Sequence, residues 1–268
     1  MDSRPIIYMD SGIGGIPYCL NFAKRNPNES VHYLADRLNF PYGPRQQKEL
    51  VEILSGLVGK LVADFNPKII VLACNTATIS AMDELVRRFP GLPFVGTIPE
   101  VKPAARESKA GRIGVIATER TIADPFTARL AGDSCHVTGI AAADLVDFVN
   151  NRFLSASEEE KNDFATKYTE RFRAEGVDGI VLGCTHFLFL KEQFVKQAAP
   201  DIKVFDSVES VTQTAEALLD KDGGKLRAGG AAGKKPAQFL ITGTEEADSL
   251  WQGWADYMGY AVSIFGKT

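Results

Sequence analysis

Ile69-Ile-Val-Leu-Ala-Cys74-Asn-Thr-Ala and, 110 residues later, Gly179-Ile-Val-Leu-Gly-Cys184-Thr-His-Phe are two copies of one pattern. Each is a short, mainly β-branched run that closes on a small residue and a cysteine. A run of this kind, apolar at every position, predicts a strand buried on both faces of a parallel sheet. Each cysteine is therefore expected at a strand's carboxyl end, where open α/β sheets bind their ligands. Two thiols in matching places predict two matching half-sites.

The surrounding chain alternates strand and helix signals. Ile6-Ile-Tyr-Met-Asp10 reads as a strand, Ser11-Gly-Ile-Gly-Gly15 as a turn, and the segment through Tyr18-Cys-Leu-Asn-Phe-Ala as a helix. Strand Val31–Ala35 precedes a helical pattern over 46–65. Further strand and helix pairs follow from Ile69 and from Phe94–Thr97 with 103–108. A second series starts at Arg112–Ala117, where Thr118 carries helix-capping chemistry, and Ser157-Glu-Glu-Glu160 is a capping box for a charged helix to about Ala174. Lys203–Asp206 and Gln238–Gly243 read as strands, each followed by a helix, to Leu219 and over 245–258. The alternation predicts βαβ units. We expect an α/β fold of two domains, residues 1–97 with 208–268 and residues 98–207, each three-layered with a mainly parallel sheet. The glycine- and lysine-rich stretch 220–236 reads as a mobile surface loop.

Composition narrows the function. The 268 residues are 45% hydrophobic and 24% charged, with a net charge of −4. The basic clusters are too thin for a nucleic-acid groove. No 18-residue apolar run predicts a membrane span, and the first residues lack a signal peptide's apolar core, so we expect a cytoplasmic protein. Cys19, Cys74, Cys135 and Cys184 fit no zinc-binding spacing, which predicts free thiols and no metal. Cys19 and Cys135 read as structural thiols, His32 as a sheet-edge residue and His136 as a surface loop residue.

The turn Asp10-Ser-Gly-Ile-Gly-Gly15 sits where a phosphate could bind a helix N-terminus, but a nicotinamide fingerprint from Gly12 would need Gly or Ala where Pro17 stands, and no Gly-Lys-Ser/Thr follows. Asp10 and Ser11 could equally cap the helix. Asn75-Thr76 and Thr185-His186 follow the paired cysteines and could be N-caps or donors to a carboxylate. Phe40-Pro-Tyr-Gly43 reads as a turn.

Taken together, Asp10-Ser-Gly-x-Gly-Gly15, Phe40-Pro-Tyr-Gly43, Ala73-Cys-Asn-Thr-Ala77, Gly183-Cys-Thr-His186 and Asp206-Ser resemble the glutamate racemases of the aspartate/glutamate racemase family, in order and across most of the chain. The resemblance implies two pseudo-symmetric domains with the active site in the cleft between them. It implies cofactor-independent interconversion of L- and D-glutamate for peptidoglycan synthesis, and a homodimer. By position, Cys74 and Cys184 become the acid/base thiols, with Asp10 supporting Cys74 and His186 supporting Cys184. Substrate contacts fall on Asp10, Ser11, Tyr42, Gly43, Asn75, Thr76, Thr118, Thr121, Thr185 and His186. The His after Gly-Cys-Thr points to glutamate; a racemase for aspartate or another acidic amino acid, or a non-catalytic amino-acid-binding regulator, are the alternatives. Two positions depart from the family pattern: Asn150 stands where a glutamate is usual, and Thr97-Ile-Pro-Glu-Val replaces the usual Ile-Glu-Pro.

Overall fold

The computed structural model describes residues 2–132, 135–229 and 236–266. They form two compact units, Met1–Thr97 with Val208–Thr268 and Ile98–Ser207. In the first unit β1 (Ile6–Asp10), α1 (Ile16–Arg25), β2 (Val31–Ala35), α2 (Gln47–Phe65), β3 (Ile69–Leu72), α3 (Asn75–Arg88) and β4 (Phe94–Gly96) come before the excursion into the second. The second contains α4 (Val101–Glu107), β5 (Arg112–Ala117), α5 (Glu119–Ala123), α6 (Pro125–Arg129), β6 (His136–Ala141), α7 (Ala143–Asn151), α8 (Glu158–Ala174), β7 (Gly179–Leu182), α9 (Lys191–Ala198) and β8 (Lys203–Phe205). The chain then returns to the first unit through α10 (Val208–Gly224), β9 (Gln238–Thr242), α11 (Ser249–Met258) and β10 (Ala261–Phe265).

Among the described residues the first sheet has the order β10-β9-β2-β1-β3-β4 and the second β6-β5-β7-β8, with every pairing parallel. The second order repeats the core of the first: β5 takes the place of β1, β6 of β2, β7 of β3 and β8 of β4. In both, the strand order reverses at the central pair, which creates a crevice at the carboxyl ends of β1 and β3 and another at those of β5 and β7.

Helix packing follows the apolar stripes. Leu50, Leu54, Val58 and Leu61 lie along one face of α2 and bury against Ile7, Met9, Ile70 and Leu72 of the first sheet. Each such side chain contributes about 1.5–3 kcal/mol by leaving water. In the second unit Val101 and Ala104 of α4 close over Ile113, Val115 and Val181. Thr118 caps α5, and Ser157 and Glu160 form the expected reciprocal box at the start of α8. No helix among the described residues is long and apolar enough to cross a membrane.

Four sequence expectations need correction. His32 lies on β2 between β1 and β9, not at an edge; its Nδ1 accepts the Gln238 N–H at 3.2 Å, because β9 adds to the sheet beside β2. His136 opens the edge strand β6 instead of sitting in a loop. The C-terminal helix is followed by a strand, β10, which pairs with β9. The start of the supposed mobile loop is ordered as well: α10 continues to Gly224, and the buried Lys68 ammonium donates to the Leu226 carbonyl at 2.7 Å while pairing with Glu29 at 2.5 Å. Arg227 holds Asp220 and donates to Asn26 Oδ1. The rest of that expectation, residues 230–235, lies outside the described residues.

Candidate active site

The first half-site grows from the carboxyl ends of β1 and β3. Past Asp10 the chain turns sharply into α1, and the Asp10 carboxylate folds back on the turn: Oδ1 accepts the Gly12 N–H at 2.7 Å and the Ser11 hydroxyl at 3.3 Å. Asp10 is 1% exposed, so this pairing offsets part of the cost of burying a carboxylate. On β3 the ladder runs one residue beyond the strand, with the Ala73 N–H donating to the Met9 carbonyl at 2.8 Å. Cys74 follows in extended conformation (φ −142°, ψ 117°) at the N-cap of α3, and its carbonyl accepts the Thr78 N–H at 2.9 Å. Its sulfur thus belongs to a residue at the positive end of a 14-residue helix, a setting that favours a thiolate. Asn75 and Thr76, both buried, form the first turn.

The α3 N-terminus is locked to its sheet by threonines. Thr78 Oγ1 donates to the Leu72 carbonyl at 3.2 Å and accepts the Thr97 N–H at 3.0 Å, while Thr97 Oγ1 donates to the same carbonyl at 3.1 Å. Gly96 makes room, since a Cβ there would lie 2.5 Å from Thr78 Cγ2.

Asp36, one residue past β2, is fully buried and gathers the loop that follows. Its carboxylate accepts from Tyr42 Oη at 2.7 Å, Thr242 Oγ1 at 2.7 Å and Asn39 Nδ2 at 2.9 Å. The Tyr42 ring is therefore turned inward and the whole residue is buried, its carbonyl accepting the Arg45 N–H at 3.1 Å, while Gly43 stays partly exposed. Asp36 carries no motif in the sequence; the signal it offers is an acid directly after a buried strand.

The second half-site repeats the plan. The Gly183 N–H donates to the Ile116 carbonyl at 2.7 Å, and Cys184 follows in a matching extended conformation (φ −127°, ψ 135°). Here the chain enters a 3-10 helix, Thr185–Leu190, before α9. Cys184 Sγ lies 3.9 Å from His186 Nδ1. Burial alone pushes the His186 pKa down to about 3, so near neutrality the imidazole is uncharged. By choice of tautomer its Nδ1 can accept a hydrogen bond from the Cys184 thiol or donate one to the thiolate. Thr118 and Thr121 sit beside β5 with their hydroxyls 3.1 Å apart. Asn150 is buried on α7, which packs against the 185–190 turn, and its Nδ2 donates to Asn151 Oδ1 at 2.9 Å. Asp206 is paired with Lys191 at 2.7 Å.

The other two thiols stand apart. Cys19, inside α1, is 3.9 Å from Tyr260 Oη, and burial pushes its pKa up to about 12. Cys135 is raised by burial as well. Both shifts disfavour the thiolate, the nucleophilic form of cysteine. Among the described residues no three His, Cys, Asp or Glu side chains are gathered as a metal ion would require.

The sequence profile of the Asp/Glu/Hydantoin racemase family matches residues 21–215. The chain belongs to this family. Its curated relatives include the glutamate racemase of Treponema pallidum strain Nichols, 34% identical over 209 residues covering 77% of this chain and 78% of the relative. The glutamate racemase of Herpetosiphon aurantiacus is 36% identical over 223 residues, covering 82% and 86%. Among solved structures, Escherichia coli glutamate racemase in complex with L-glutamate and an activator superposes with a TM-score of 0.82 at 23% identity, covering 97% of each chain, which shows a shared fold. Family membership makes this racemase an isomerase.

Proposed function

We propose that this racemase interconverts L- and D-glutamate in the cytoplasm, supplying the D-enantiomer for peptidoglycan, and that Cys74 and Cys184 work at opposite faces of one Cα. The observation that supports this most directly is the duplication of geometry: two cysteines, each one residue beyond the last cross-strand bond of an equivalent strand, in matching backbone conformations. The substrate follows from the relatives, which are named glutamate racemases at identities of 34% and 36%.

Racemisation requires one base and one acid in opposite protonation states. The thiolate of one cysteine takes the Cα proton, the electron pair left behind spreads into the substrate carboxylate, and the thiol of the other cysteine returns a proton to the opposite face. The protonation states of the pair end exchanged, and the same two groups run the reaction backwards. Positioned proton transfer of this kind contributes about 10²- to 10⁴-fold. The growing charge on the carboxylate needs donors, and Ser11, Asn75, Thr76, Thr185 and the nearby backbone N–H groups suit that role without adding charge. Asp10 cannot stabilise an anion; its place is to manage the Cys74 proton or to meet the substrate ammonium. His186, uncharged, partners Cys184 by a hydrogen bond, accepting from the thiol or donating to the thiolate according to its tautomer, and keeps its own proton count.

Loss of the α-proton NMR signal in deuterated water, followed for L-glutamate, D-glutamate and L-aspartate with no additive, tests substrate and reaction together. Exchange and racemisation of both glutamate enantiomers is the expected result. Exchange of aspartate alone would reassign the substrate, and glutamate binding without exchange would leave a binding protein on a racemase scaffold.

A further inference from the structure

The turn that carries Asp10 and Ser11 is held by a residue on the next strand of the chain. Tyr33, on β2, is fully buried, with its ring against Phe239 at 5.6 Å between centroids. Its hydroxyl donates to the Gly12 carbonyl at 2.8 Å and accepts the Gly15 N–H at 3.0 Å. In an ordinary β-turn the first carbonyl and the fourth N–H bond each other. Here the phenol stands between them, holding the turn open to a fixed width.

Gly12 is thereby fixed at both ends, its carbonyl on Tyr33 and its N–H on Asp10 Oδ1. Gly15 carries the connection to the other strand: a Cβ there would lie 2.6 Å from Ala73 Cβ, 3.0 Å from the Ala73 carbonyl oxygen and 3.1 Å from the Tyr33 hydroxyl. Ala73 directly precedes Cys74. The hydroxyl of Tyr33 sits where the Asp10 turn meets the strand end that presents Cys74.

We propose that Tyr33 is a positioning residue for the reaction: its hydroxyl sets the Asp10 carboxylate, through Gly12, in register with Cys74. The phenol suits the task because it stays protonated. Burial foremost, with the Asp10 and Cys74 charges adding to it, pushes its pKa well above the usual tyrosine value. A donor that never ionises gives the Gly12 carbonyl a constant partner across the working pH range. The inference rests on the reading of Asp10 and Cys74 as one half of a racemase site.

Tyr33→Phe keeps the ring and deletes only the hydroxyl, and Leu219→Ala, in a buried position of α10, serves as a destabilised control with the turn intact. Misplacing a catalytic group by a fraction of an ångström to 1 Å costs up to about a hundredfold in rate, so Tyr33→Phe is expected to lower kcat about ten- to a hundredfold with KM changed less than about threefold. Leu219→Ala, assayed equally far below its own Tm, is expected to retain the wild-type kcat. A second measurement needs no substrate: the pH dependence of Cys74 alkylation by iodoacetamide, read by peptide mass spectrometry, is expected to move by roughly half a unit or more in Tyr33→Phe and not in Leu219→Ala. An unchanged kcat with an unchanged alkylation profile overturns the proposal. So does failure of Tyr33→Phe to fold, because the hydroxyl would then serve stability alone. Absence of racemisation in the wild type would strike the functional reading instead, and the alkylation profile would still decide the role of Tyr33.

Discussion

Asp10 and Ala117 stand at the same point of their two sheets: each lies one residue beyond the strand position, Met9 or Ile116, that pairs with the leucine two residues before a cysteine. The duplicated plan therefore puts a carboxyl-bearing residue at the strand end next to the one that leads into Cys74, and a methyl-bearing one at the equivalent point before Cys184. The imbalance recurs just past the cysteines, where Thr76 follows Cys74 by two residues and the uncharged His186 follows Cys184 by two. A symmetric reaction is thus assigned to two unlike proton carriers. Cys74→Ala and Cys184→Ala are each expected to lower racemisation by about 10²- to 10⁴-fold or more. Asp10→Asn, which keeps an acceptor for Gly12, is expected to lose about tenfold, or ~1.4 kcal/mol of transition-state stabilisation. Coupled assay of D-glutamate formation with purified variants checks all three, and near-wild-type activity in either alanine variant would rule out the two-thiol mechanism.

His186 ties stability to pH in a definite direction. Its folded pKa of about 3 lies below the ordinary 6.5, so between those values the unfolded chain binds a proton that the folded chain refuses. Stability from this residue is complete above pH 6.5 and falls as the pH drops toward 3. Lowering the pH from 6.5 to 5 should cost the wild type about 1.5 kcal/mol on this account. His186→Gln is expected to lose that part of the slope, measured by urea denaturation at the two pH values. The rate should follow the same logic: with the imidazole uncharged throughout, kcat against pH is expected to show no inflexion near 6.5 that His186→Gln removes.

The repeat legible in the sequence was a matter of local pattern, and local pattern is what a buried strand and a helix cap write into a chain. Cys74 and Cys184, the Thr118 cap and the Ser157–Glu160 box were readable for that reason. The partners were harder to see, because they are set by which strands become neighbours. Tyr33 looks like any apolar strand residue until β2 is placed beside β1, and His32 looks like an edge residue until β9, some 200 residues later, supplies the Gln238 N–H. The inward turn of Tyr42 depends likewise on Asp36 and on Thr242 of β9. The alternation of glycines and lysines after residue 220 suggested a loop, yet the helix persists to Gly224 because its flank is tied down by Lys68 and Arg227.

Asn150 tests whether the second thiol lacks an acid. The residue is 6% exposed on the helix packed against the turn after Cys184. A carboxyl placed there would be driven toward its neutral form by desolvation unless it gained a cationic partner. Asn150→Glu is accordingly expected to change kcat/KM by less than about threefold, a shift worth under ~0.7 kcal/mol. Because enantiomers have equal free energy, the change must be the same in both directions, which progress curves started from L- and from D-glutamate verify. A gain above tenfold would show that this chain runs with an under-supported Cys184.

The strand ends that present the thiols are tight, and each unit meets the crowding with one glycine. In the first, Gly15 yields to Ala73; in the second, Gly183 itself is the small residue, for a Cβ there would lie 3.0 Å from Ala117 Cβ, 3.1 Å from the Ile116 carbonyl oxygen and 3.1 Å from Val115 Cγ1. The carbonyl cannot withdraw, because it accepts the Gly183 N–H at 2.7 Å. Gly183→Ala must therefore push β7 away from β5 at the residue before Cys184, at a cost of about 1–3 kcal/mol for overpacking. Pairing it with Ala117→Gly removes the Cβ neighbour but leaves the carbonyl, so the double variant is expected to recover only part of that loss. Chemical denaturation of the two variants measures the stability change. Their kcat should fall further than stability alone explains, because the displaced residue is the one that sets the backbone of the second thiol.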